Sequence, residues 1–311
     1  MPDQPPTTLR RGGRGGPGAA EGIVIADAPR AEQCRHGQPT DADDVPAPTS
    51  HVACLAHRGA GAEPRRRSVP EETPVAFTYN GTSYAVMMAT PADLNDFAVG
   101  FSLTEGVIDC PADIASLDIV PHDAGIELRM WLASAHASAL SERRHRLAGP
   151  TGCGLCGVES LATAVPPIRP VGDGIMLAPD QIAAALPLLV SAQELNGATR
   201  AMHAAGFFLP GHGLLSARED VGRHNALDKL VGDLVCREIE GATGFVVVTS
   251  RVSVEMVQKT AVLGASVIVA ISAPTALAIR SAERAGITLV AVARDDGFEV
   301  FTHPHRIVAQ G

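Results

Sequence analysis

"GFVVVTSRVSVEMVQKTAVLGASVIVAIS", residues 244–272, sets two short apolar runs on either side of a helix-like stretch. In "GFVVVTS" and "SVIVAIS" the apolar residues are consecutive rather than alternating, the pattern of strands covered on both faces. "VEMVQKTAVLG" between them reads as a helix. Working outward, the same alternation continues through "TALAIRSAERAG" (helix) and "ITLVAVA" (strand) to a short edge strand, "FEVFTH". Upstream lie "HNALDKLVGDLVCREI" (helix), "LLSARED" and "AAGFFLP" (strands joined at "GHG"), and "APDQIAAALPLLVSAQEL" (helix), the last stopped by Asn196-Gly197. Repeated β-α-β alternation with nearly all-apolar strands predicts an α/β domain over 178–311, built on a mixed, mainly parallel sheet with helices on both faces.

A smaller α+β unit is expected before it, over 68–148. In "PVAFTYNGTSYAVMMA" two strand-like runs flank Asn80-Gly81, which favours a type I′ hairpin turn. A helix follows, with Thr90 as its cap, Pro91 at its first position and Leu94, Phe97, Ala98 and Phe101 at helical spacing. A strand at "GIELRMWL" and a charged helix around "ASALSERRHRLAG" complete the unit. Residues 149–177 are expected to be a flexible loop and linker. Residues 1–67 mix Pro, Gly, Arg and Asp without either period and are expected to be a disordered, solvated extension.

The whole chain has 311 residues, of which 46% are hydrophobic, enough to fill a sizeable core. Its net charge of -9 argues against bulk nucleic-acid affinity, so any anionic ligand must be met by local donors. No apolar stretch is long enough to span a membrane, and the arginine-bearing N-terminus is not followed by a signal-peptide core, so a cytoplasmic location is expected. Six cysteines are too few for a disulfide scaffold, and thiols of a reducing compartment stay free unless catalytic or metal-bound.

Cys153 and Cys156 stand apart, three residues apart in the glycine-rich "TGCGLCGVES". Metal, disulfide and sulfur carriage are all open to such a pair. Tetrahedral zinc needs four ligands, and no second Cys/His pair is evident among the scattered histidines 203, 212, 224, 303 and 305, so no metal site is expected. The surrounding glycines supply mobility, which suits a thiolate that must visit two partners. A CxxC context also lowers the first thiol's pKa from about 8.5 towards neutrality.

Polar residues gather elsewhere too. "REDVGRHNALDKL" carries Arg218, Glu219, Asp220, Arg223, His224, Asn225, Asp228 and Lys229 at a strand-to-helix junction, where they either line a ligand site or dimer contact, or serve as caps and ion pairs. Ligands of open α/β sheets bind beyond the carboxyl ends of the strands, here at "TSRVS", "ISAPT" and "ARDDG". Ser250, Arg251, Ser253, Ser272 and Thr275 offer donors there, with helix capping as the competing role.

"TGCGLCGVE", "EDVGRHNALDKL", "SRVSVEMVQK", "AISAPTALA" and "FTHPHRI", in this order, resemble the formate dehydrogenase accessory sulfurtransferases over roughly Glu71 to Val308. The resemblance implies a cytidine-deaminase-like three-layer fold and a homodimer. It implies a protein that takes sulfane sulfur from a cysteine desulfurase as a persulfide on Cys153, with Cys156 as its partner. The sulfur would go to a molybdenum (or tungsten) bis-guanine-dinucleotide pterin, a bound substrate rather than a resident cofactor, for the formate dehydrogenase catalytic subunit. The family's pterin-binding segment maps onto Val292, Ala293, Arg294, Asp295, Asp296 and Gly297, where relatives tend to carry a basic residue followed by Pro-Gly. Deamination is rejected, because the chain has neither H-x-E nor a proline before Cys153. A binding chaperone for the pterin, with a structural CxxC, is the alternative.

Overall fold

In the computed structural model, which describes residues 45–59, 61–133, 168–294 and 296–308, the chain opens on an antiparallel hairpin, β1 (Thr49–Arg58) and β2 (Gly61–Pro70). Next come β3 (Thr73–Tyr79), β4 (Thr82–Ala89), α1 (Leu94–Thr104), β5 (Ile114–His122) and β6 (Gly125–Leu132). The second half holds α2 (Pro179–Ser191), α3 (Glu194–Thr199), β7 (His203–Leu209), β8 (Gly213–Asp220) and α4 (Arg223–Cys236). It continues with β9 (Phe245–Val248), α5 (Val254–Leu263), β10 (Val267–Ala270), α6 (Ala276–Ala285), β11 (Thr288–Arg294) and β12 (Gly297–Val300). No helix among the described residues is long and apolar enough to cross a membrane. The segment expected as a charged helix, and the loop with Cys153 and Cys156, lie outside the described residues.

The consecutive apolar runs are strands buried on both faces. Val246, Val248, Ile268, Ala270 and Leu289 enter one core cluster with α4, α5 and α6. Phe245, Val247, Val267, Val269 and Val290 enter another, with Ile182, Ala185, Leu186 and Leu189 of α2. Successive side chains of a strand point to opposite faces, so a strand between two helix layers can spare no position for a polar residue. The expected layering of helices around a mixed sheet is present. Its pairing is less parallel than expected: in the order β12-β11-β10-β9-β7-β8 only β9–β10 and β10–β11 are parallel neighbours. β7 enters antiparallel because a tight turn at 210–212 returns it directly into β8.

A second sheet, β4-β3-β6-β5, packs one face on α1. Its core is aromatic: Phe77 stacks on Phe101 with ring centroids 4.0 Å apart and meets Phe97 edge-on at 5.0 Å. Asn80 and Gly81 turn β3 into β4 with φ of 50° and 73°, as the Asn-Gly signal predicted. α1 and α4 then cross at van der Waals contact of their backbones, because both contact positions are glycine. A Cβ on Gly100 would strike the Asp228 carbonyl, and one on Gly232 the Asp96 carbonyl. Through this crossing the two sheets share one apolar cluster.

Three local expectations are corrected. Residues 49–67, expected to lack structure, form most of the β1–β2 hairpin; Gly59 at φ 58° turns the chain, and backbone pairing rather than an apolar period defines the strands. Thr90 does not cap α1, which begins at Leu94 after Asp93 in the left-handed region. Thr90 is held instead by Asp220 and Val221, 130 and 131 residues away. Asn196-Gly197 does not stop α2; it lies inside the short helix α3, whose first amides are bound by Glu219.

Candidate functional site

β8, β9, β10 and β11 run in the same direction, so the helices that follow three of them, α4, α5 and α6, all begin at one end of the sheet. Unpaired amides and aligned dipoles give that end a positive character. The loops there are tied to one another. Thr275 N donates to the Val252 carbonyl (3.0 Å), and Val292 N donates to the Ser272 carbonyl (3.2 Å). Thr275 caps α6 by accepting the Ala278 N–H at 3.1 Å. Ser250 is buried with its hydroxyl turned to the Arg251 carbonyl, so of the donors named from sequence it is withdrawn from the shelf that these loops and helix starts form at the sheet end, while Arg251 is exposed.

The dense polar motif of residues 218–229 divides into a structural part and an exposed part. Asp220 and Lys229 are fully buried, 2.7 Å apart. Asp220 also accepts from Thr90 N (2.9 Å), Gly222 N (2.7 Å) and Asn225 Nδ2 (2.9 Å), and Lys229 donates to the Thr90 carbonyl (2.9 Å). Arg218 lies between Asp96 (2.8 Å) and Asp233 (2.7 Å). Burial pushes the Asp233 carboxyl up, but Arg218, Ser216 and Arg237 outweigh it and hold it below the usual carboxylate range. Lys259 meets Asp228 at 2.8 Å, with Thr104 on the same carboxylate at 2.6 Å; burial disfavours the ammonium, and Asp228 more than restores it. These three networks clamp α4 to α1 and to the turn at Thr90. Asp93, Asp96 and Thr104 complete them, and no local pattern marked those residues out, since each acts across more than a hundred residues.

Arg223, His224 and His203 remain partly exposed at the shelf. Arg223 is the first residue of α4, and its buried Nε finds no acceptor among the described residues. His203 begins β7 opposite Asp220, and burial together with the Arg223 charge lowers its pKa. His224 lies 3.4 Å from Ser253 Oγ and 3.8 Å from Glu255, joining the starts of α4 and α5. Glu255 is a shelf residue that the sequence alone did not mark.

Burial, then the neighbouring Arg223 and Lys259, lower the His224 pKa to about 4. An unfolded histidine titrates at about 6.5. Between those values the unfolded chain binds the extra proton, so the stability this residue lends is complete above pH 6.5 and is lost as the pH falls towards 4. A pH titration followed by imidazole NMR is expected to place its midpoint near 4; an ordinary midpoint near 6.5 would contradict the burial and the charge.

The segment expected to bind the pterin is the turn of the β11–β12 hairpin, at the same sheet end. A bulge falls between Ala291 and Arg294. Val292 occupies it at φ 52°, where a β-branched residue is strained, a feature that clusters at functional sites. Ala293 is buried, whereas Arg294, Asp296 and Gly297 are exposed; Asp295 lies outside the described residues. Thus Arg223, His224, Arg251 and Arg294 share one end of the sheet.

The FdhD/NarQ family model matches residues 70–308. The chain belongs to the FdhD/NarQ family. Relatives of this member include the sulfur carrier protein FdhD of Agrobacterium fabrum, 53% identical over 267 residues that cover 85% of this chain and 98% of that one. The sulfur carrier protein FdhD of Bordetella petrii is 44% identical over 268 residues, 84% of this chain and 96% of the other. Among solved structures, a protein from Desulfotalea psychrophila crystallised as a formate dehydrogenase accessory protein shares the fold, with a TM-score of 0.66 at 24% identity over 84% of this chain and 99% of that chain.

Proposed function

We propose that the chain is a sulfurtransferase that carries sulfur as a persulfide on Cys153, from a cysteine desulfurase to a molybdenum bis-guanine-dinucleotide pterin required by formate dehydrogenase. The observation that carries this reading is the Cys153-Gly154-Leu155-Cys156 motif in an FdhD/NarQ family chain that is 53% identical to a protein named a sulfur carrier. In the loading step the Cys153 thiolate attacks the outer sulfur of the donor's persulfide; the S–S bond breaks and the donor leaves as a thiolate. In the delivery step the Cys156 thiolate attacks Cys153 Sγ, hydrosulfide departs to the substrate, and a Cys153–Cys156 disulfide remains for a cellular dithiol to reduce.

The pterin is an anionic substrate, and the shelf offers what the chain's net charge of -9 does not. Helix starts and the guanidinium groups of Arg223, Arg251 and Arg294 suit its pyrophosphates. Neutral His203 and His224 supply hydrogen bonds without adding charge. On this reading Val292, Ala293, Arg294, Asp295, Asp296 and Gly297 form the rim of the site, and Asp296 takes guanine N–H groups rather than facing phosphate. The same reading makes the domain cytidine-deaminase-like, the assembly a homodimer and the compartment the cytoplasm, with the formate dehydrogenase catalytic subunit as client.

Incubation with a cysteine desulfurase and cysteine is expected to add one sulfur to the peptide bearing Cys153, and reductant to remove it. Mass spectrometry of that peptide decides the matter: a reductant-sensitive adduct that never forms would sink the proposal.

A further inference from the structure

The β1–β2 hairpin lies outside the sheets that form the core. Its two ten-residue strands extend for about 30 Å and are exposed on both faces along most of their length. It is fastened at its base: Ser50 Oγ donates to Glu71 (2.6 Å), Glu71 N donates to the Pro48 carbonyl (2.9 Å), and Arg67 donates to the Thr199 carbonyl of α3 (3.2 Å). A lone two-stranded hairpin is marginal in water, because it buries too little to offset the ordering of its backbone. A third strand would supply what it lacks.

Its two edges differ. β2 carries Pro64 and Arg65-Arg66-Arg67 and packs beside α3, and proline and charge are the usual guards of an exposed edge. β1 is unguarded. Its central residues, Val52-Ala53-Cys54-Leu55-Ala56, have neither charge nor proline, and Val52 and Leu55 are 41% and 58% exposed. Leu55 pairs with Pro64, which has no N–H, so this is a pair of the non-bonded kind. By the alternation of antiparallel pairing, Ala53, Leu55 and His57 turn their N–H and C=O groups outward.

The arm is also the basic part of an acidic protein. It holds four arginines against one glutamate, in a chain of net charge -9. Ala53 pairs with Arg66 and Cys54 with Arg65, which places one guanidinium on each face. Arg66 already reaches across β1 to the His51 carbonyl (3.2 Å).

We propose that the edge of β1 docks an extended, carboxylate-bearing segment of another protein, which adds as a third strand and is held from its two faces by Arg65 and Arg66. Main-chain bonds give such a complex its affinity, and the charges select its partner.

The probe is a fluorescent ten-residue peptide alternating valine and glutamate, titrated into the full chain beside a counterpart with lysine for glutamate. The glutamate peptide is expected to bind, more weakly as salt rises, and the lysine peptide not to bind. Arg65→Glu with Arg66→Glu, and separately Leu55→Pro, which removes an outward N–H, are each expected to weaken binding about tenfold or more. Thermal melting of both variants is expected to stay unchanged, since among the described residues the arm is fastened at its base and neither substitution touches those contacts. Equal binding of the lysine peptide, or binding indifferent to both variants, overturns the proposal. So does a dimer that Leu55→Pro dissociates, which gives the edge to a second copy, or binding seen only after removal of residues 1–44, which gives it to the chain's own N-terminal segment.

Discussion

Cells whose sole copy carries Cys153→Ala are expected to lose formate dehydrogenase activity down to the level of cells lacking the protein. The enzyme purified from them should hold a pterin deficient in sulfur. Serine or alanine at this position cannot form a persulfide, and the chain holds no second CxxC that would replace this one. Cys156→Ala separates loading from delivery. With the attacking thiolate gone, the Cys153 adduct should form as before and then persist, so that activity falls while the adduct accumulates. A protein that only binds and presents the pterin behaves differently: the Cys153→Ala, Cys156→Ala double variant would then sustain full activity, and that result would decide for the chaperone.

Asp220→Ala is expected to cost about 3–5 kcal/mol of stability, the range for breaking a buried ion pair from one side. The substitution strands Lys229, which is fully buried and left with the Thr90 carbonyl and the Phe97 ring 5.5 Å away. It also releases Thr90 N, Gly222 N and the Asn225 amide, which bind the turn before α1 to the start of α4. Lys229→Met should cost less, because Asp220 keeps those three donors. Removing both charges should cost less than the sum of the single changes, since neither partner is then left uncompensated. Urea unfolding of the four proteins tests this; a loss below about 1 kcal/mol for Asp220→Ala would mean that water reaches the pair.

Local pattern was a good guide wherever one residue's environment follows from its neighbours in the chain. The consecutive apolar residues of 246–248 and 267–269 were legible as two-faced strands, and Asn80-Gly81 as a turn, because side-chain period and positive φ are local properties. The β1–β2 hairpin was not legible, because its strands have little apolar face to betray them. Thr90 failed as a cap for another reason. Capping is a local bond of modest strength, and the charged Asp220, brought in from the far half of the chain, offered a stronger one.

The polar motif of residues 218–229 shows the same division within one stretch. Its composition was sufficient to mark a junction where chemistry or ion pairing occurs, and the cysteine motif with the order of the five motifs was sufficient for the family. Which groups are spent on structure was decided by α1 crossing α4 at Gly100 and Gly232. That crossing buries Asp220, Asp228 and Lys229 beside partners distant in sequence and leaves Arg223 and His224 at the shelf. Residue type and spacing are carried along the chain, whereas burial and partnership arise only when remote elements meet, and a charge becomes a clamp or a ligand donor according to how much water that meeting leaves around it.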